Sequence, residues 1–150
     1  MISKTRVVCV WVLLLMCLPM ADLRTVAQPN SSNVQFVTAE ELKSKITRNE
    51  PVVIIDVRAT SGLLEGDNKI KGAVYVKLRR LKARLGLPPL NDVPRNREVV
   101  TYCACPNDES SIRAAQVLLD AGFSRVRVLK GGWVSWKKVG GQIEPLAKVM

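Results

Sequence analysis

The fold is decided by the stretch EVVTYCACPNDESSIRAAQVLL, residues 98–119. Its first five residues are apolar and β-rich, which predicts a strand, and residues 112–119 have the pattern of a helix. A strand that ends in a cysteine and turns directly into a helix aims backbone N–H groups and the positive helix end at that sulfur. Such surroundings lower the pKa of a thiol and stabilise a thiolate or a persulfide anion. The stretch therefore predicts that Cys103 is a nucleophile.

The rest of the chain alternates strands and helices around this unit. Before the stretch, we predict a helix over 39–47, strands over 52–55 and 72–76, a helix over 77–85 and a connector over 86–96. The stretch itself contains the strand over 98–102 and a helix that runs to Ala121, with Gly122 after it. After it, we predict a strand over 126–129, a sharp turn at Gly131-Gly132 and a last helix from Trp133. Thr38 and Glu41 have the spacing of a capping box at the first helix. Alternation of this kind implies a mostly parallel sheet covered on both sides, with sites at the carboxyl ends of the strands. Asp56 and Cys103 both follow predicted strands and are expected at that edge.

The beginning of the chain has the pattern of a secretory signal. Lys4 and Arg6 precede an apolar run over 7–18, and residues 25–27 are small enough for cleavage before Gln28. An uncleaved N-terminal anchor is the alternative, although the run is short for a membrane span. We predict a signal peptide or anchor over 1–27, a polar tether over 28–36, one domain over 37–146 and a tail over 147–150. The predicted location is the periplasm or the cell exterior.

Charge and composition limit the partners that the chain can bind and the kinds of catalytic or metal site that it can form. The formal net charge is +10, and without residues 1–27 the remaining 20 basic and 12 acidic residues give +8. Such a balance favours acidic surfaces, anionic lipid headgroups or small anions, and we expect no nucleic-acid partner for an exported chain. The sequence contains no histidine, which excludes a Ser-His-Asp triad, a Cys-His pair and most zinc sites. We expect no cofactor and no metal, with Cu(I) on two thiols as the remaining metal alternative.

From about Val37 to Pro145 the chain resembles the rhodanese domain family. The shared motifs are AEEL at 39–42, VIIDVR at 53–58, IKGA at 70–73, VTYC at 100–103, RAA at 113–115, AGF at 121–123 and VLKGGW at 128–133 with Trp136. The resemblance implies an α/β fold with a central, mostly parallel sheet of about five strands flanked by helices. It also implies that Cys103 takes up a sulfane sulfur as a persulfide and passes it to a nucleophilic acceptor.

The loop after Cys103 departs from the common family pattern. Family members active on thiosulfate usually carry a six-residue loop with glycine in the middle and arginine at the sixth place, where this chain has Asp108. About two extra residues precede Arg113, as in related phosphatases, but no arginine lies between Cys103 and Arg113 to bind a phosphate. The loop instead resembles a subgroup with a Cys-x-Cys-Pro-Asn loop. Asn68-Lys69 replace a histidine common in the family.

Each loop residue has a functional and a structural interpretation. Cys103 is the predicted catalytic nucleophile, and Cys105 is either a resolving thiol or a small apolar residue beneath the loop. The remaining predicted members of a cradle for the persulfide anion are Ala104, Pro106, Asn107, Asp108, Glu109 and Ser110. Asp108 and Glu109 are predicted as N-cap and first-turn acid of the helix, and their charge disfavours thiosulfate as a donor.

Several residues outside the loop also have predicted roles. Asp56 and Arg58 either orient the loop from the end of the neighbouring strand or form an ordinary ion pair or cap. The basic helix over 77–85 is a solvated face or a patch for a membrane surface or a protein. Tyr102, Trp133 and Trp136 are expected to pack in the core.

The sequence thus predicts a sulfurtransferase that moves a sulfane sulfur from a persulfide or thiosulfate-like donor to a thiol or cyanide. Its partners would be a small sulfur donor and a thiol acceptor, and the oligomeric state is not determined. Two alternatives stay open: a binding module of the same fold without catalysis, and a thiol–disulfide redox protein that uses Cys103 and Cys105. Sulfur transfer requires Cys103 alone, a redox role requires both cysteines, and a binding module requires neither.

Overall fold

The computed structural model describes residues 34–59 and 68–146, which build an α/β domain on a central sheet. Its strands are β1 Gln35–Val37, β2 Val52–Asp56, β3 Asn68–Ile70, β4 Val74–Tyr75, β5 Glu98–Tyr102, β6 Arg125–Leu129 and β7 Ile143–Pro145. Its helices are α1 Ala39–Thr47, α2 Leu81–Arg84, α3 Glu109–Asp120 and α4 Gly132–Lys138. The main sheet has the order β1-β6-β5-β2-β4, and all neighbouring pairs are parallel. This confirms the predicted five-stranded parallel sheet.

Strand β5 lies at the centre of the sheet, and all five of its residues are buried. Successive side chains of a strand point to opposite faces, so β5 contributes to two separate cores. Val99 packs on one face with Leu118 of α3, and Val100 packs on the other with Trp136 of α4. Helices therefore cover both faces, and the carboxyl ends of the strands form one open edge.

Several local predictions are confirmed by particular contacts. The side chain of Thr38 accepts a hydrogen bond from the backbone N–H of Glu41 at 3.1 Å and begins α1. The second half of the capping box does not form, because the Glu41 carboxylate instead accepts from the Arg127 guanidinium at 2.6 Å. Gly122 follows α3 with φ +88, a conformation that suits glycine at this position.

Other elements differ from the sequence predictions. The predicted tether over 28–36 overlaps β1 at its last two residues, so ordered structure begins before Val37. The antiparallel pair of β3 and β7 was not predicted.

The strand predicted over 72–76 is reduced to β4, because Gly72 lies in a turn with φ +77. The helix predicted over 77–85 is divided into a 3-10 turn over 78–80 and the single turn of α2. These segments are too short for periodicity to reveal.

The predicted signal or anchor over 1–27 and the tail over 147–150 lie outside the described residues. Within the described part of the chain, we find no helix whose length and apolar character would allow it to cross a membrane.

Candidate active site

Cys103 directly follows β5, at the predicted edge of the sheet. The residue is 1% exposed, and its neighbour Tyr102 lies opposite Asp56 in the register of β5 and β2. The carbonyl of Cys103 accepts a hydrogen bond from the backbone N–H of Trp133 at 2.8 Å. Gly132 approaches the same carbonyl so closely that a Cβ atom would collide with it. The turn from β6 into α4 therefore fixes the backbone of the cysteine.

The loop from Cys103 to α3 has an unusual backbone. Asn107 and Asp108 have φ values of +58 and +57, in the left-handed region that asparagine and aspartate tolerate better than most residues. The Asp108 carboxylate accepts a hydrogen bond from the backbone N–H of Gly131 at 2.8 Å. The Asp108 carbonyl accepts from the hydroxyl of Ser111 at 2.8 Å. Both contacts hold Asp108, the second of the two residues with a left-handed backbone.

Asp108 occupies the predicted N-cap position of α3, but the predicted capping hydrogen bond from its side chain does not form. Asp108 is the residue before the helix, but its side chain makes no capping hydrogen bond. A capping residue normally has an extended backbone, and the left-handed conformation of Asp108 is incompatible with that geometry. Its carboxylate ties the cysteine loop to Gly131 instead. Glu109 begins the helix as the predicted first-turn acid.

The two loop cysteines form a disulfide bond, with their Cα atoms 5.7 Å apart. The backbone N–H of Ser110 donates to the sulfur of Cys105 at 3.4 Å, so the first turn of α3 points at the second cysteine. The hydroxyl of Ser111 lies 3.4 Å from the sulfur of Cys103. This hydroxyl has one proton, which it shares between the nearer Asp108 carbonyl and the sulfur. The sequence predicted helix N–H groups at Cys103, whereas this one is directed at Cys105.

Asp56 and Arg58 form a buried ion pair behind the loop. Their side chains are 0% and 1% exposed, and the guanidinium donates to the carboxylate at 2.7 Å and 3.0 Å. The Tyr102 hydroxyl donates to the same carboxylate at 2.7 Å and accepts from the backbone N–H of Ile70 at 3.1 Å. The Asp56 carboxylate, the Arg58 guanidinium and the Tyr102 hydroxyl thus form one buried hydrogen-bonded network.

The charges of this network are shielded from water. Burial acts to lower the pKa of Arg58, but the hydrogen bonds and charge of Asp56 outweigh it and raise that pKa. Burial, together with the charge of Asp56, also raises the pKa of Tyr102 well above its ordinary value of 10.0. The Tyr102 phenol and the Arg58 guanidinium therefore both keep their protons across the usual pH range.

Arg58 connects the ion pair to the cysteine through Trp133. The guanidinium lies 4.3 Å from the centre of a Trp133 ring, and the Tyr102 and Trp133 rings are stacked with centroids 6.3 Å apart. The backbone N–H of Trp133 binds the Cys103 carbonyl. Asp56 and Arg58 thus support the site through a second residue rather than by touching either sulfur. Sequence reasoning assigned Tyr102 and Trp133 to packing alone, although the VLKGGW motif marked the turn that carries Trp133.

A cavity of about 410 Å³ opens beside the loop. It is lined by Val57, Arg58, Ala59, Lys77, Leu78, Arg79 and Ser110. Ser110 contacts the sulfur of Cys105, so the cavity adjoins that side of the loop. Lys77 and Arg79 give it a cationic lining. Across residues 34–59 and 68–146 no group of three or more potential metal ligands occurs.

Three comparisons relate the chain to known proteins. It is 26% identical over 107 residues to a protein of Allochromatium vinosum named sulfurtransferase, which covers 71% of this chain and 92% of that protein. It is 32% identical to the SseB protein of Mycobacterium tuberculosis over 73% of this chain, but it spans only 46% of that protein. The crystal structure of the Alr3790 protein from Anabaena sp. superposes with a TM-score of 0.63 at 33% identity, over 75% of this chain and 84% of that one.

The family itself is shown by a match over most of the domain. The model of the Rhodanese-like domain family matches residues 38–139, which include β2, β5, the cysteine loop and α4. The parallel five-stranded sheet and the sulfurtransferase relative agree with that match. Export and the loop subgroup stay predictions. The chain belongs to the rhodanese-like domain family.

Proposed function

We propose that this chain is a sulfurtransferase that carries a sulfane sulfur on Cys103. The observation that supports this most strongly is the placement of Cys103 at the carboxyl end of β5, backed by the turn at Gly132 and Trp133. The matching family and the sulfurtransferase relative support the same reaction class. The identity of the donor and acceptor rests on the chemistry of the loop and of the cavity beside it.

The first half-reaction loads the cysteine. With the loop reduced, the Cys103 thiolate attacks the outer sulfur of a donor R–S–SH, and the donor S–S bond breaks as R–S⁻ leaves. The new bond makes Cys103 a persulfide. Attack of a thiolate on sulfur requires no histidine base, which agrees with a chain that has no histidine. The Ser111 hydroxyl, 3.4 Å from Sγ of Cys103, can donate to the thiolate before it attacks.

The second half-reaction unloads the cysteine. A thiolate or cyanide attacks the outer sulfur of the persulfide, and Cys103 leaves as a thiolate. With cyanide the product is thiocyanate. No net oxidation of the protein takes place, so transfer to an external acceptor does not require Cys105.

The cavity beside the loop supports an anionic organic persulfide as donor. Lys77 and Arg79 line it and attract carboxylates such as those of glutathione persulfide. Thiosulfate is disfavoured because no arginine lies between Cys103 and Arg113 to bind its sulfonate oxygens. Asp108 and Glu109 add negative charge to the same loop.

The test measures thiocyanate formed from cyanide, with glutathione persulfide and with thiosulfate as donors, under reducing conditions. We expect turnover by the unchanged chain, faster with the persulfide, and loss to the uncatalysed background in Cys103→Ser. Absence of turnover with both donors, in a protein that is folded and reduced, would contradict catalysis by Cys103. Circular dichroism of each variant supplies the folding control.

The disulfide between Cys103 and Cys105 favours a second candidate, a thiol–disulfide redox function. A purely redox protein would reduce or oxidise a dithiol substrate and form no thiocyanate. Its activity would disappear equally in Cys103→Ser and Cys105→Ser. The two cysteine variants therefore separate the two functions in one set of assays.

A further inference from the structure

Cys105 lies where a thiol that resolves a persulfide on Cys103 would have to lie. The structure joins the two cysteines in a disulfide, and the separation of 5.7 Å between their Cα atoms is ordinary for such a bond, so no movement of the main chain is needed to form it. We propose that Cys105 resolves the Cys103 persulfide, so that the domain releases hydrosulfide and ends the turnover as the Cys103–Cys105 disulfide. This inference rests on the proposed function, since it begins from the persulfide.

The step balances in atoms and electrons. The Cys105 thiolate attacks Sγ of Cys103, which is the inner sulfur of the persulfide, and a bond between the two cysteine sulfurs forms. The bond from Cys103 to the outer sulfur breaks, and that sulfur leaves with its proton as HS⁻. The sulfane sulfur gains two electrons, and the two cysteines lose two as they become a disulfide. Holding the nucleophile next to its target makes the reaction intramolecular, which favours it strongly over attack by a thiol from solution.

The helix that follows the loop prepares Cys105 for this attack. Ser110 is the second residue of α3, and its N–H has no acceptor inside the helix because it belongs to the first turn. That N–H points at the Cys105 sulfur at 3.4 Å. A twelve-residue helix also directs its positive end toward the same place. Both effects favour the thiolate form that attacks.

The disulfide has little structural use, which is a separate observation in favour of a chemical role. It joins residues only two positions apart, so it restricts the unfolded chain very little. The loop is already held by the hydrogen bonds from Trp133 to the Cys103 carbonyl and from Gly131 to the Asp108 carboxylate. Its position can therefore be kept without the bond between the sulfurs.

Burial determines how the disulfide is reduced again. In the disulfide form, Cys103 is 1% exposed, whereas Cys105 is partly exposed beside the cavity that Ser110 lines. An external dithiol therefore attacks the Cys105 sulfur, and Cys103 leaves first as a thiolate. The second thiol of the reductant then attacks the mixed disulfide, which releases the Cys105 thiolate and leaves the reductant as its own disulfide. The co-reactant of the cycle is thus a dithiol reductant.

The experiment is a single turnover without added reductant. The full chain carries Cys9→Ser and Cys17→Ser in every sample, so that only the loop thiols react. Reduced, desalted protein receives one equivalent of glutathione persulfide, and hydrosulfide and intact mass are measured. We expect one equivalent of hydrosulfide per chain and a mass lower than that of the reduced protein by two hydrogen atoms. In Cys105→Ser we expect a mass increase of one sulfur atom and hydrosulfide at the level of the donor alone.

The outcomes separate this inference from the proposed function. If the protein with both loop cysteines keeps the added sulfur and releases no hydrosulfide, the resolving role of Cys105 is overturned, while thiocyanate formation on addition of cyanide leaves the sulfurtransferase intact. If neither protein takes up sulfur or forms thiocyanate, the proposed function fails, and this inference fails with it. Cys103→Ser must neither retain sulfur nor release hydrosulfide beyond the donor background. Cys105→Ala repeats the test with a side chain that has no hydroxyl.

Discussion

The central sheet has a buried acid at each of its two edges, where the strands end and where they begin, and the partners of these two acids differ. At the carboxyl edge Asp56 is fully buried and is paired with Arg58, which is also buried. At the amino edge Glu98 is 7% exposed and is surrounded by Lys45 at 3.2 Å, Arg125 at 3.3 Å and Arg127 at 3.8 Å. The side chains of these three cations are 15%, 63% and 30% exposed, so water reaches them. One edge has a closed pair and the other an open, redundant network.

The difference shows which edge must keep its geometry. A closed pair leaves a charge without compensation when either partner is removed, whereas a redundant network replaces a lost cation with another or with water. The closed pair lies behind the cysteine and contacts Trp133, which holds the Cys103 carbonyl. The open network adjoins a cavity of about 550 Å³ far along β5 from that cysteine. The closed pair thus supports the backbone of the proposed nucleophile, and the open network lies at the opposite ends of the strands.

The largest effect should come from Arg58→Met. The substitution keeps an aliphatic side chain but leaves the Asp56 carboxylate buried without its cation, which should lower the free energy of unfolding by roughly 3–5 kcal/mol. Urea denaturation with an unchanged m-value measures the loss. The comparison between the edges would be wrong if Arg125→Met at the amino edge cost as much.

Tyr102→Phe should have an intermediate effect. It removes the hydroxyl that binds both Asp56 and the N–H of Ile70, and leaving these buried groups unsatisfied should cost about 1–3 kcal/mol. Tyr75→Phe is the matched control, since Tyr75 is only half-buried and its hydroxyl donates a longer hydrogen bond, at 3.3 Å, to the Arg58 carbonyl. We expect the control to lose less stability.

The same variant tests a pH dependence. The folded protein raises the pKa of Tyr102, so the unfolded chain releases this proton at lower pH than the folded one. The stabilisation is complete below the ordinary pKa of 10.0 and is lost as the pH rises above it. The stability difference between the unchanged chain and Tyr102→Phe should therefore shrink above that pH. A difference that stays constant into the alkaline range would contradict the assignment.

The smallest effect should come from Arg125→Gln. Lys45 and Arg127 still surround Glu98 in this variant, and the lost partner is mostly exposed, so we expect roughly 0.2–1 kcal/mol. The loss should shrink further in high salt, which screens exposed pairs. Thermal unfolding at low and high ionic strength measures both. A salt-insensitive loss as large as that of Arg58→Met would show that the amino edge is also a closed site.

The sequence by itself determined the elements whose signals are local. The β-rich run of β5 and the spacing of α3 predicted a strand that ends at Cys103 and a helix that follows it. A strand buried on both faces needs no alternation, whereas a helix with one buried face repeats about every 3.6 residues. Thr38 and Gly122 predicted helix ends for the same local reason, since a cap acts on residues within one turn. The alternation of strands and helices predicted the mostly parallel sheet, and the resemblance to the family implied about five strands. The signals for single elements and for helix ends lie within a few residues of the structure that they specify.

Only the tertiary structure decided the contacts between distant parts of the chain. The Asp108 carboxylate binds Gly131, 23 positions away, and the Tyr102 hydroxyl binds Asp56, 46 positions away. No local pattern distinguishes these partners from the cap and the core packing that the sequence suggested. The pairing of β3 with β7 and the direction of the Ser110 N–H toward Cys105 are decided in the same way. These contacts depend on how the sheet brings separate turns to one edge. Periodicity describes one element at a time, so it carries no information about which turns lie side by side.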